Sequence, residues 1–267
     1  MTEQTAQSRR QALRRLAHGG LGVGVLTLLP ACGTAANKRV RAKGGQLGTP
    51  VPGDPAMISR PWTPAEERQF AGTGVGTRPA GRGLPNGLIA RSDWAKGKPR
   101  PWLADPMGSI RRITVHHDAI HPMLPDTGDR SARAAAAGRL DSIRRGHLAR
   151  GWADIGYHYA IDPSGQVWQG RPLELQGAHV ANQNPGNLGI VMLGNFDRSR
   201  PTGRAVETLD RLIASEMRRY RISLSEVRTH REMASTACPG QNLQRAMDRT
   251  RSNGGRLASL ALGDHRG

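Results

Sequence analysis

Apolar residues recur along this chain in two rhythms that predict its elements. Between Ile110 and His116 the run alternates in part, with Ile113 and Val115 on one face and Thr114 and His116 on the other, as a strand would place them. Between Asp129 and Arg150, Ala136, Leu140, Ile143 and His147 fall at three- and four-residue steps, which predicts an amphipathic helix ending at Gly151. A hairpin follows: a strand from Tyr157 to Ile161, the turn Asp162-Pro163-Ser164-Gly165, and a strand from Gln166 to Gln169. The apolar run Leu188 to Leu193 reads as a further strand. Thr202 can cap a helix reaching about Tyr220, with Val206, Leu209, Leu212, Ile213 and Met217 on its core face. A short strand, Val227-Arg228-Thr229, then delivers His230, and Asn242 to Arg251 reads as a last helix. Residues 252–267 offer no pattern.

Nothing before Gly87 repeats these rhythms. Residues 1–31 resemble an export leader: tandem arginines Arg9 and Arg10, a Gly-interrupted apolar run from Leu16 to Leu29, then Pro30-Ala31-Cys32. The arginine pair resembles a twin-arginine signal, and the run is short of the ~20 apolar residues of a membrane span. Leu29 to Cys32 resembles a lipoprotein box with Pro30 as a departure, so that Cys32 becomes the mature terminus and carries a lipid anchor. An exported protein of the periplasm or cell envelope is expected. Residues 32–87, rich in Gly, Pro and basic side chains, bury too little apolar surface to offset chain entropy and read as linker. One island breaks it, Pro61 to Phe70, where Thr63, Pro64 and Glu66 could open a short helix.

Composition adds one constraint. Lys and Arg number 39 against 21 Asp and Glu, a formal charge of +18 that favours anionic partners. The arginines are scattered without an interleaved aromatic platform, so a nucleic-acid partner is not expected. Of the two cysteines only Cys32 with Cys238 could pair, and each has a more specific explanation, so a disulfide is not expected.

The chemistry concentrates in T-H-R-E-M-A-S-T-A-C-P-G, residues 229–240. His230 and Cys238 are ligands that suit zinc, and a catalytic zinc takes three protein ligands and one water. The best third ligand is His116. His116 and His117 point to opposite strand faces, so one of the pair is expected to reach a given metal. A His and a Cys eight residues apart also arise by chance, and a lone buried cysteine is commonly a small hydrophobe.

Five ordered motifs change that balance: V-H-H on the first strand, G-W-A-D-I-G-Y-H-Y at the hairpin, G-A-H after it, the L-G-N strand, and H-R-E-M-A-S-T-A-C-P-G at the close. Together they resemble the zinc-dependent N-acetylmuramoyl-L-alanine amidases, the family shared by peptidoglycan recognition proteins and phage-lysozyme-type amidases. The resemblance spans residues 88–251, and Arg91-Ser92-Asp93-Trp94-Ala95 also resembles the R-x-x-W-G-A start of the recognition proteins. It implies an α/β fold: one domain with a mixed central β-sheet flanked by helices. It implies a zinc ion on His116, His230 and Cys238, with Tyr157 as the catalytic tyrosine. Thr236 takes the place held by lysine in the phage type, which likens this chain to the recognition proteins. His179 and Asn187 match positions lining the peptide groove. His117 and His158 are expected to be structural, and Asp118 to accept a hydrogen bond beside the metal histidine.

The implied activity is hydrolysis of the bond between N-acetylmuramic acid and L-alanine in peptidoglycan, by a monomer whose partners are muropeptide substrate and, through Cys32, a membrane. The alternative is a module that binds muropeptides without cutting them. Members that only bind generally lack the cysteine ligand, so Cys238 favours catalysis. Mass spectrometry of the exported protein should find acyl chains on residue 32; an intact Met1 terminus in the cytosol would contradict the leader assignment.

Overall fold

A computed structural model of the protein describes residues 87–262. The leader, Cys32 and the Pro61 to Phe70 island lie outside the described residues. Six strands form one mixed sheet: β1 (Leu88–Ile89), β2 (Arg112–His117), β3 (Tyr159–Ile161), β4 (Val167–Gln169), β5 (Asn187–Met192) and β6 (Val227–Thr229), in spatial order β1-β4-β3-β5-β2-β6. Only β3 and β4 pair antiparallel, joined by the expected turn in which the Gly165 amide donates to the Asp162 carbonyl at 2.9 Å. The central strands β2 and β5 are parallel over six residues, Arg112 opposite Asn187 through His117 opposite Met192.

Helices cover both faces, as parallel sheets require. Helix α1 (Arg130–Ala149) starts at Asp129, whose side chain accepts from the Ala132 amide at 2.8 Å. It packs Ala136, Leu140 and Ile143 on Ala160, Trp168 and Val191. Helix α2 (Gly203–Tyr220) starts at Thr202, which accepts from the Ala205 amide at 3.1 Å. Such a cap contributes about 1 kcal/mol. Helices α2, α3 (Gln241–Arg251) and α4 (Arg256–Leu262) cover the other face, packing on Ile113, Val115, Leu188, Ile190, Met192 and Val227.

The period-2 alternation of β2 therefore sorts its side chains as expected. Ile113 and Val115 join the α2 core, while Thr114 and His116 face the other way. Helix α4 departs from the sequence reading, which found no element after residue 252. Leu257 and Ala258 are buried there, and Leu260 and Ala261 pack on the α2 core. Seven residues after a glycine pair are too few to show a helical period.

The start of the domain is tied down by buried charge. Arg91 and Arg144 both donate to the Asp154 carboxylate, each at 2.7 Å, and Trp94 Nε1 donates to the Gln169 carbonyl at 2.8 Å. Charges this buried persist because each is paired and hydrogen-bonded. Arg171 is fully enclosed and is satisfied by backbone instead, donating to the carbonyls of Ile155, Gln176 and Asp154.

Two structural histidines make stability pH-dependent. His147 accepts from the Gly156 amide and His158 from the Gly189 amide, each at 3.0 Å on Nδ1. Burial pushes His147 down to about 3 and His158 to about 4. Lowered folded-state values mean that the unfolded chain binds more protons below about pH 6.5, so this contribution to stability falls as pH drops toward the folded values. Burial acts oppositely on Asp210, raised to about 6, so a variant difference isolates the histidine. The stability gap between wild type and His147→Gln should shift in the variant's favour by about 2–3 kcal/mol between pH 7.5 and 4.5 in urea unfolding. A pH-independent gap would contradict this account.

Candidate metal centre

Two parallel strands assemble the site. β2 pairs with β6 in the register Val115 opposite Thr229, so the next residue of each, His116 and His230, emerges side by side. Their ring centroids lie 4.6 Å apart although the residues are far separated in the chain. After β6 the chain turns through a short 3-10 helix, His230–Glu232, closed by a capping box between Thr229 and Glu232. Glu232 is held in turn by Arg251 of α3 at 2.6 Å, so the turn carrying His230 is fixed to a helix. The loop returns to place the Cys238 carbonyl 2.9 Å from the Arg231 amide. Cys238 Sγ then sits 3.7 Å from His116 Nδ1.

His116, His230 and Cys238 are all buried, and one ligand atom from each lies within 4.8 Å of the others. Tetrahedral zinc, with Zn–N near 2.0 Å and Zn–S near 2.3 Å, sets nitrogen and sulfur about 3.6 Å apart. The His116 to Cys238 distance meets that spacing; the widest pair would close by about 1 Å. His230 Nδ1 supplies a second test of fit. It is buried with no hydrogen-bond partner among the described residues, a costly state for a polar atom unless something binds it. Burial lowers His230 to about 4 and His116 well below its ordinary value, so both rings are neutral at pH 7 and offer lone pairs. The donor set and the orphaned nitrogen fit a zinc ion.

One observation runs against the expectation for Cys238. Cys238, the one cysteine among the described residues, is disulfide-bonded. A sulfur so engaged cannot also be a thiolate ligand, so the metal-competent form is the reduced one. The sequence reading set a disulfide aside because each cysteine had another use, and nothing in the spacing forbids the bond.

The other expected residues divide. Tyr157 is buried with its ring 5.2 Å from that of His116. Burial, and after it the Asp118 carboxylate, raises its phenol above the ordinary value, so it stays protonated and can donate. Thr236 is half-buried on the Cys238 loop, where Oγ1 accepts from the Cys238 amide at 3.2 Å and keeps its own proton to donate. His117 points away, stacking on Phe196 and accepting from its amide at 3.3 Å, as a structural histidine would.

His179 and Asn187 stand apart from the expected groove lining. His179 is 5 % exposed, with Nδ1 3.0 Å from His116 Nε2 and Nε2 3.0 Å from the Asn187 carbonyl. The Asn187 side chain is wholly buried, accepting from Thr114 Oγ1 and donating to the Gln183 carbonyl, each at 2.8 Å. Polar atoms so engaged are not free for a ligand. Asp118 also differs from its expected place beside the metal histidine. Its Oδ1 accepts from the amides of Gly194 and Ile120 at 2.7 and 3.2 Å, and Oδ2 faces Arg139 at 3.6 Å, so it secures the exit from β2. Asn184, not singled out in the sequence, accepts from the amides of His179 and Val180, both at 2.9 Å. The signal was the Asn-rich loop, since asparagine readily folds back on backbone amides.

Comparisons with known proteins identify the family and the fold. Residues 106–241 match the family model described as N-acetylmuramoyl-L-alanine amidase. Peptidoglycan-recognition protein SC2 of Drosophila melanogaster is 30 % identical over 158 residues, covering 58 % of this chain and 82 % of that protein. Among solved structures, wild-type Drosophila PGRP-LB aligns with a TM-score of 0.51 at 26 % identity, over 58 % of this chain and 89 % of the other. A variant of the same Drosophila protein in complex with tracheal cytotoxin aligns at 0.50 and 25 % identity, over 58 % and 89 %.

Proposed function

Because the chain belongs to the N-acetylmuramoyl-L-alanine amidase family, we propose that it is a zinc hydrolase that cleaves the amide bond between N-acetylmuramic acid and L-alanine in peptidoglycan, in wall turnover or remodelling. The observation carrying the reading is the buried His116, His230 and Cys238 cluster with an unpartnered His230 Nδ1. The relative solved with tracheal cytotoxin supports a muropeptide ligand. An exported chain in the reduced form, with the Cys32 thiol free to carry the anchor, would meet such a substrate in the envelope.

His116, His230 and reduced Cys238 would hold the ion. Zinc bound by two neutral histidines and one thiolate supplies an activated water at neutral pH and polarises a carbonyl. Tyr157 contributes a phenol that remains protonated beside His116, placed to donate to an oxygen gaining negative charge. Thr236 contributes a second neutral donor, fixed by its bond to the Cys238 amide. Neither side chain acts as a base of matched pKa at pH 7, so both serve to orient and to stabilise charge.

A second reading rests on the disulfide. With Cys238 oxidised the ligand set is incomplete, and the domain would bind muropeptide without cutting it. Purified protein, reduced or not, assayed on muropeptide with and without chelator, separates the two. The reduced metal-loaded form should release free stem peptide, and chelator or Cys238→Ser should abolish release. Tyr157→Phe should lower turnover about 10²–10³-fold, the usual cost of one oxyanion donor. Turnover unaffected by Cys238→Ser would sink the zinc mechanism, and binding without product in the reduced form would favour the second reading.

A further inference from the structure

The two ring nitrogens of His179 are both committed, and their partners dictate where the protons lie. Nε2 faces the Asn187 carbonyl at 3.0 Å, and a carbonyl oxygen only accepts, so Nε2 carries the hydrogen. A neutral imidazole has one N–H, which leaves His179 Nδ1 as an acceptor. His116 Nε2 lies 3.0 Å from that atom and must therefore donate. The hydrogen of His116 is thus on Nε2, and its lone pair is on Nδ1, the atom 3.7 Å from Cys238 Sγ. Neutrality of both rings follows from their enclosure. They are buried together with His230 and His158, with centroids 4.6 and 5.9 Å from His116 and His179 respectively, where a charge would be costly.

The fold holds His179 firmly for such a task. Its amide donates to Asn184 Oδ1 at 2.9 Å. Its ring lies against the backbone of two glycines: a Cβ on Gly189 would come within 2.5 Å of its Cδ2, and one on Gly177 would meet the same atom at 2.5 Å. The carbonyl ending the chain of bonds belongs to β5, paired along its length with the strand that carries His116.

We propose that His179 is a positioning residue for the metal centre: by accepting the Nε2 hydrogen of His116 it fixes the tautomer and ring orientation that present His116 Nδ1 to the ion. This rests on the metal reading of His116, His230 and Cys238. It differs from the groove contact that the family resemblance implies for His179, and places the residue one bond behind the metal. Partners behind a ligand histidine commonly govern metal affinity by 10–100-fold.

Two readouts on the reduced full-length protein test it. In the metal-free, ¹⁵N-histidine-labelled protein, long-range ¹H–¹⁵N correlations should show His116 protonated at Nε2; protonation at Nδ1 overturns the proposal. In a zinc competition titration, His179→Ala should bind about 10–100-fold more weakly than wild type. His179→Gln, whose carbonyl oxygen can still accept, should stay within a few-fold of wild type. Folded His179→Ala with wild-type affinity overturns the proposal, as does His179→Gln no tighter than His179→Ala, which would assign the loss to packing. If wild type takes up no zinc, the ligand reading fails, while the tautomer measurement still decides the bond between His116 and His179.

Discussion

The candidate site depends on the parallel pairing of β2 with β6. Val115 opposite Thr229 is the last ladder step, and it sets two histidines from distant parts of the chain side by side on one sheet face. A one-residue slip in either strand would turn one of them into the α2 core. The register is secured from both sides. Ile113, Val115 and Val227 are buried beneath α2, and the capping box at Thr229 with the Glu232 to Arg251 pair holds the exit of β6.

Around this pairing the protein buries imidazoles where many domains bury aliphatic side chains. His116, His117, His147, His158, His179 and His230 are all enclosed. Each of His117, His147 and His158 accepts a backbone amide on Nδ1, and His179 accepts from His116. Satisfied in this way, a neutral ring is stable in the interior. His230 Nδ1 breaks the pattern, and it breaks it beside the Cys238 sulfur and the lone pair of His116. Local departures from complete pairing are where function is expected.

Much of this was legible in the sequence, for reasons that differ by residue. The alternation in β2 separated His116 from His117 because side-chain direction in a strand has a period of two. The cap at Thr202 was readable because it acts within three residues. Cys238 was found through its ligand chemistry and its spacing from His230, Thr236 through the family motif, and neither signal pointed to the disulfide. The true setting of His179, Asn187 and Asp118 was not readable. Whether a polar side chain faces a groove or a neighbour depends on tertiary contacts across β2 and β5 that no local pattern encodes. Helix α4 escaped notice because its apolar residues make sense only against α2.

The central claim is that reduced Cys238 joins His116 and His230 around one zinc ion. X-ray absorption at the zinc edge on the reduced, metal-loaded protein tests it most directly. The account predicts a shell of two nitrogens near 2.0 Å and one sulfur near 2.3 Å, with a light atom completing four. A zinc spectrum without a sulfur shell would contradict it.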